Sequence, residues 1–277
     1  MDFAKIPSLS IHEFEEKFLF EENEIIINQN RGATYLKAWD QSSGKEVFIK
    51  ILNPEGDEIK EQDFEGSFTE ILALEHENII QVIDVFKVYP QDNSVTEHFI
   101  PFIIYEYFEG QTLKNIAPNL PETALVEILN QVKNGLNYLH QNGWVHRDIK
   151  AENILVNNIG ESWSVKLIDI ENLGQIGKVP KLIIGTTEFI PPEISNYTAL
   201  TKAQDYWAFG CMIYEVLFFE PMFGCRDNNL KGIEAIKEYQ SRISISLISQ
   251  KIDKISNIYL KEIITITLSI NPILRRL

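Results

Sequence analysis

The chain has 277 residues, 44% of them hydrophobic and 23% charged, enough for one large core or for two fused lobes. Its 40 acids against 25 bases give a net charge of -15, which repels phosphate backbones and acidic lipid surfaces and argues against a nucleic-acid partner. There is no apolar run of about 18 residues to span a bilayer, two cysteines are too few for a disulfide scaffold, and the acidic start MDFAKIPSLSIHEFEEKF is no secretory signal, so the chain reads as cytoplasmic.

Ser10 and Glu13 are spaced as a capping box, which predicts a helix within an N-terminal extension, residues 1–20. From Glu24, the stretches EIIINQN, ATYLKAW and KEVFIKIL are rich in β-branched and aromatic residues and are broken by turn chemistry such as Gln41-Ser42-Ser43-Gly44. They predict an antiparallel meander. Phe64, Phe68, Ile71 and Leu74 recur at spacings of four, three and three, one face of a helix. NIIQVIDVFKVY and HFIPFIIYEYF then predict two more strands around the polar turn at 90–94. These elements make a β-rich lobe over 21–105, joined by a connection at 106–111 to an α-rich lobe over 112–277.

In that second part Asn119 offers an N-cap with Glu122 three residues on. Leu125, Ile128, Leu129, Val132, Leu136 and Leu139 follow as a helical stripe that ends at Asn142-Gly143. NILVN and SVKLID read as a strand pair around Gly160. From Asp205 onward, long apolar patterns such as DYWAFGCMIYEVLFF predict helices.

Between the long helix and the first strand of that pair lies VHRDIKAEN, residues 145–153. An Asp to accept a hydroxyl proton, a Lys two residues on to offset phosphate charge and an Asn five residues on to hold a metal suit phosphoryl transfer. The segment resembles the catalytic loop of eukaryotic-type protein kinases, with His146, Arg147, Asp148, Lys150 and Asn153 in register. The order of the surrounding motifs extends the resemblance over nearly the whole chain.

The resemblance implies an α+β, two-lobed protein-kinase-like fold, with a small antiparallel β-lobe carrying one main helix and a larger α-helical lobe. It implies ATP and Mg²⁺ in the cleft between them. Lys50 of VFIK would grip the nucleotide phosphates, Asn153 and Asp169 would hold the metal, and Asp148 with Lys150 would serve the transfer. Tyr105 takes the gatekeeper position, and the backbone of Glu106 and Phe108 would meet adenine. GTTEFIPPE, residues 185–193, is similar to the end of an activation segment, with Thr186 near the substrate and Glu193 expected to pair with Arg275. Asp205 matches the acid that anchors the catalytic loop. Lys150 resembles the serine/threonine branch, which implies a protein substrate, and the acidic charge favours a basic one.

Departures from the pattern concern the nucleotide side. Asn28, Asn30 and Ala33 stand where three glycines are expected, with Gly32 out of step, so close approach of backbone amides to phosphate is put in question. Ungapped matching places Ser67 where the helix glutamate that pairs with Lys50 belongs, and Glu70 is the nearest substitute. Asp-Phe-Gly becomes Asp169-Ile170-Glu171, which keeps an apolar plug at Ile170 and puts a carboxylate beside the metal site. The interval 170–185 contains no Ser, Thr or Tyr. The expectation is a segment that is not switched by phosphorylation there, with an acid such as Glu171 standing in for a phosphate at Arg147. Beyond NPILRR the family's lobe usually continues for a helix, so either that helix is missing or short, or the chain is a domain cut from a longer protein.

Two rivals accompany the kinase reading. The degenerate phosphate turn, the missing glutamate and the altered Asp-Ile-Glu support a pseudokinase acting as a nucleotide- or protein-binding scaffold. A small-molecule phosphotransferase is disfavoured by Lys150 and GTTEFIPPE. Sequence leaves the oligomeric state open.

Overall fold

Alternating β-branched and aromatic residues decide the first part of the molecule. The computed structural model describes residues 6–21, 25–28, 33–52, 68, 70–89, 99–160, 162–225 and 227–277, which fall into two compact units, Met1–Glu109 and Gly110–Leu277.

In the first unit, β4 (Ala33–Asp40), β5 (Lys45–Leu52), β6 (Val82–Tyr89) and β7 (Ile100–Glu106) pair antiparallel in the order β6-β7-β5-β4. The β4–β5 turn forms where its residues favour it: Asp40 Oδ1 accepts from the Ser42 N–H and hydroxyl at 3.0 and 2.6 Å, and Gly44 adopts φ 64°. β3 (Ile25–Asn28) pairs with one end of β4, Asn28 opposite Ala33. Asn30 and Gly32, two of the expected phosphate-turn positions, lie outside the described residues.

The N-terminal segment is part of the sheet rather than an appendage to it. β1 (Ser8–Ser10) runs parallel to β6, and β2 (Phe18–Leu19) pairs with the other end of β4. Between them lies α1 (Ile11–Lys17), started by the capping box of Ser10 and Glu13. The reason is apolar. Phe14 and Phe18 are buried at 2% and 1% exposure and pack on Phe102 and Phe86 with Val47, Ile49 and Val88, each worth about 1.5–3 kcal/mol of burial.

The expected helix at 64–74 is described only at its end. Phe68, Glu70 and Ile71 are helical, and the Leu72 N–H closes onto the Phe68 carbonyl at 3.1 Å. Phe64 and Ser67 lie outside the described residues.

In the second unit, after the short helix α2 (Leu113–Ile116), the long helix α3 spans Glu122–Gln141 and buries every member of its stripe at 4% exposure or less. It starts later than an Asn119 cap would have it. Asn119 ends a 3-10 turn over Ala117–Asn119, and Pro121 is the N-cap, because proline disfavours helical geometry at Leu120 before it. Asn142 caps the end of the helix, followed by Gly143 at φ 84°. β9 (Trp144–Val145) leads into the charged loop. β10 (Ile154–Ile159) and β11 (Ser162–Leu167) form a hairpin beside Gly160, and β8 (Gln111–Thr112) adds to β10. β12 (Gly174–Gln175) returns to pair with β9.

The helix α4 (Lys202–Phe218) is buried on almost all sides, as its near-continuous apolar sequence requires. α5 (Gly232–Ser241), α6 (Ile245–Ile252) and α7 (Ile258–Thr267) follow. No described helix is long and apolar enough to cross a membrane.

Candidate active site

One buried carboxylate organises the charged loop. Asp205, on the first turn of α4 and 1% exposed, accepts from the His146 N–H at 2.8 Å and the Arg147 N–H at 2.9 Å, and lies 2.8 Å from His140 Nε2. Burial pushes its carboxyl up, but the His140 bond and the surrounding charges and N–H groups outweigh it, so the group stays below the usual carboxylate range. Two backbone bonds to one fixed carboxylate over-determine the turn. Arg147 can therefore hold φ 77°, a conformation costing a non-glycine residue about 1–3 kcal/mol.

His146 ties the loop to the following hairpin. Its Nε2 lies 2.9 Å from the Ile168 carbonyl and so donates, while Nδ1 accepts from the Asp148 N–H at 3.4 Å. Further on, the Ile168 N–H donates to the Asn153 carbonyl at 3.0 Å. These bonds place Asp169, which follows β11 at φ 62° and ψ 36°, beside the loop. Ile170 is fully buried, as an apolar plug would be.

Asp148 sits at the centre. Its Oδ1 accepts from the Thr186 N–H at 3.0 Å and the Thr186 hydroxyl at 2.8 Å. Its Oδ2 faces Lys150 Nζ at 2.6 Å and accepts from Asn153 Nδ2 at 2.9 Å. Lys150 also donates to Thr186 Oγ1 at 2.6 Å. Burial raises the Asp148 carboxyl. The charge and hydrogen bond of Lys150, with the Thr186 bond, prevail and hold it below the ordinary range. Asp148 is thus a charged, oriented acceptor.

Asn153 spends its amide hydrogens on Asp148, at its carbonyl (2.8 Å) and at Oδ2. Its remaining side-chain atom is a hard oxygen, as are those of Asp169. Among the described residues no group of three His, Cys, Asp or Glu is gathered as a metal cage. A donor set of one carboxylate and one amide oxygen fits Mg²⁺, which is usually held by one or two protein oxygens together with substrate phosphates.

Thr186 is kept in place by the stretch after it. Glu193 forms a bidentate pair with Arg275, Oε1–Nη1 2.6 Å and Oε2–Nη2 2.9 Å, and the guanidinium lies over Trp207. From α5, Tyr239 donates to the Glu188 carbonyl and Gln240 to those of Pro191 and Ile194. Arg147 donates to the carbonyls of Leu182, at 2.9 Å, and Asn172, at 3.4 Å. The partners of its guanidinium are therefore main-chain oxygens, not Glu171 as the sequence suggested.

In the first unit, Lys50 is 6% exposed and lies 5.4 Å from the Tyr35 ring. Glu70 is exposed, and no ion pair joins it to Lys50. At about 100° per residue it lies roughly 200° around the helix from Phe68, whose face is buried. Glu70, the expected partner of Lys50, therefore points away from the packed face. Tyr105 is buried in β7 opposite Phe48, and Phe108 is half-buried beyond the strand. The Glu106 N–H donates to the Gln81 carbonyl at 3.0 Å, so a bond from Glu106 to adenine would have to come through its carbonyl. Asn28 and Ala33 face each other as the last pair of their ladder.

Two features went unseen in the sequence. His140 sits among the apolar positions of α3, and a histidine one residue after Leu139 of the stripe was the available signal. Glu152 is paired to Lys114 Nζ, and Glu152 Oε2 and Glu215 Oε2 are both buried without a hydrogen-bond partner. These residues lie 38 to 101 positions apart, and no local pattern joins them.

The model of the protein kinase domain matches residues 27–276. A protein of Dictyostelium discoideum named a probable serine/threonine-protein kinase is 32% identical over 210 residues, covering 73% of this chain and 31% of its own. The serine/threonine-protein kinase nekl-2 of Caenorhabditis elegans is 30% identical over 199 residues, with coverages of 66% and 53%. For the serine/threonine-protein kinase PknB of Mycobacterium leprae the values are 30% over 159 residues, 54% and 24%. The chain spans between about a quarter and about half of the length of these relatives. With the match running from β3 to the arginine that pairs Glu193 and beyond, this chain belongs to the protein kinase family.

Proposed function

We propose that the chain transfers the γ-phosphoryl group of ATP to a Ser or Thr hydroxyl of a protein substrate. The observation that carries this reading is the closed set of bonds among Asp148, Lys150, Asn153 and Thr186. Phosphoryl transfer needs positioning and charge stabilisation more than covalent help. Asp148 orients the incoming hydroxyl and takes its proton as the oxygen bonds to phosphorus and the bond to the β-phosphate oxygen breaks, leaving ADP. Lys150 offsets charge on the transferring group, and Lys50 is assigned to the nucleotide phosphates. Asn153 and Asp169 would hold Mg²⁺, which supplies neutralisation of phosphate charge when bound.

A basic substrate is favoured by the buried, unpartnered oxygens of Glu152 and Glu215. Burial, and then the neighbouring charge of Glu152, push the Glu215 carboxyl up, so a cation brought there would relieve both. The interval 170–185 offers no Ser, Thr or Tyr to phosphorylate, so on this reading the segment is set without a phosphate there, and a requirement for prior phosphorylation at Thr186 or Thr187 would overturn it.

The exposed Glu70 favours a second reading, a pseudokinase that binds nucleotide or protein without transfer. Transfer from labelled Mg-ATP to a generic basic protein, wild type against Asp148→Ala, decides between them. Signal lost in the variant supports the kinase. Equal signal removes the enzyme claim, and nucleotide-dependent thermal stabilisation without transfer selects the pseudokinase.

A further inference from the structure

Among the described residues, no anion stands in hydrogen-bond contact with the guanidinium of Arg147. Its two bonds go to carbonyls ten residues apart, Asn172 and Leu182, on a segment that offers no hydroxyl for a phosphate. Burial lowers its pKa, opposed by the charge of Asp205. The cation is thus fixed by the chain it fixes.

What lets it reach both carbonyls is a glycine. Gly174 lies in β12, buried and paired opposite Val145, and its φ is not among the positive ones. Conformation therefore does not demand glycine there, but space does. A Cβ would stand 2.8 Å from Arg147 Cδ, 3.4 Å from Nε and 2.3 Å from Leu200 Cδ1. The arginine stem crosses the strand where a side chain would be. A second glycine, Gly185, meets the same residue from the far end of the segment. It sits at φ 128°, and a Cβ there would lie 2.6 Å from the Arg147 carbonyl oxygen. The next residue is Thr186, whose N–H and hydroxyl bind Asp148. The segment is further strapped by Leu200, whose carbonyl accepts from Gly177 and whose N–H donates to Lys178, each at 2.8 Å.

We infer that Gly174 is a positioning residue: its bare Cα seats the Arg147 stem, so that the guanidinium clamps Asn172 and Leu182 and holds Thr186 at Asp148 without a phosphate. The catalytic part of this inference rests on the kinase reading. The clamp itself does not.

The test uses Gly174→Ala, Arg147→Met and their combination. Trypsin reads the clamp directly, because Lys178 and Lys181 are exposed within the segment. Each single variant is expected to speed cleavage after Lys181 about tenfold and to lower kcat about tenfold with KM for ATP unchanged, on the scale of a small misplacement of catalytic groups. The combination should add nothing, since both changes break one contact. Phosphatase-treated wild type should keep full activity. Additive effects would overturn the inference, because Gly174 would then act through Leu200 packing alone. So would unaltered cleavage in Arg147→Met, which adds no atom to the strand and stays informative if Gly174→Ala fails to fold. An inactive wild type with variant-dependent cleavage would sink the kinase reading and leave the clamp standing.

Discussion

Replacing Lys150 by Met keeps much of the stem and removes the ammonium that faces Asp148. In the wild type the two charges are 2.6 Å apart, and the side chains are only 9% and 10% exposed. Burial alone would raise the Asp148 carboxyl. Lys150, with the Thr186 bond, turns the balance, and the group lies below its ordinary range. An opposite charge at such range favours the charged form of a carboxylate. The variant keeps the burial and the Thr186 and Asn153 bonds but loses the cation. Because the folded pKa is depressed, the charged form persists in the wild type well below the usual carboxylate range, and it is lost only as pH falls through that lower value. In Lys150→Met the acid limb of kcat/KM is expected to move to higher pH, because the cation that holds the Asp148 carboxyl down is gone and that limb reports the free enzyme's base. At neutral pH, kcat should also fall by about 10²–10³, the cost of removing one preorganised donor from developing charge. Initial rates of transfer from Mg-ATP to a basic protein across the acid range measure both. A lower kcat with an unmoved acid limb would refute the coupling, for Lys150 would then act on phosphate alone and not on Asp148.

Glu193→Ala leaves the fully buried Arg275 guanidinium without its carboxylate, and thermal melting should show a loss of about 3 kcal/mol, the lower end for a broken buried pair because Glu193 is partly exposed. Glu215→Gln should raise KM for a basic peptide about tenfold, with KM for ATP unchanged. Since the Glu215 carboxyl is pushed up, its charge is lost at higher pH than for an ordinary carboxylate, so wild-type KM for that peptide should climb on mild acidification while the variant's stays flat. A thiol reagent should modify exposed Cys225 quickly and leave Cys211 untouched in the folded protein, because burial drives the Cys211 thiol strongly up and withholds the reactive thiolate.

The parts of the fold legible in the sequence are those written in short-range periods. The α3 stripe repeats at helical spacing, and the turn at 41–44 and the hairpin at Gly160 carry their own turn chemistry. The loop VHRDIKAEN was legible for a related reason: Asp148, Lys150 and Asn153 lie within six residues, so their meeting needs little help from the rest of the chain. Even local signals gave way where a stronger one stood beside them, as when Pro121 displaced the Asn119 cap. What was not legible depends on groups brought together from far apart. Asp205 gathers His140 from 65 residues away, and Phe14 and Phe18 join an apolar sheet face built by residues 36–104. Arg147 shows the limit most sharply. Its register in the motif announced a cation awaiting an anion, and composition removed every phosphate acceptor from residues 170–185. Yet neither could reveal that the main chain itself would supply the oxygens, because a carbonyl is present at every position and the sequence marks none of them. The mark it does leave is an absence of side chain at Gly174, which becomes readable only once the arginine stem is seen lying across it.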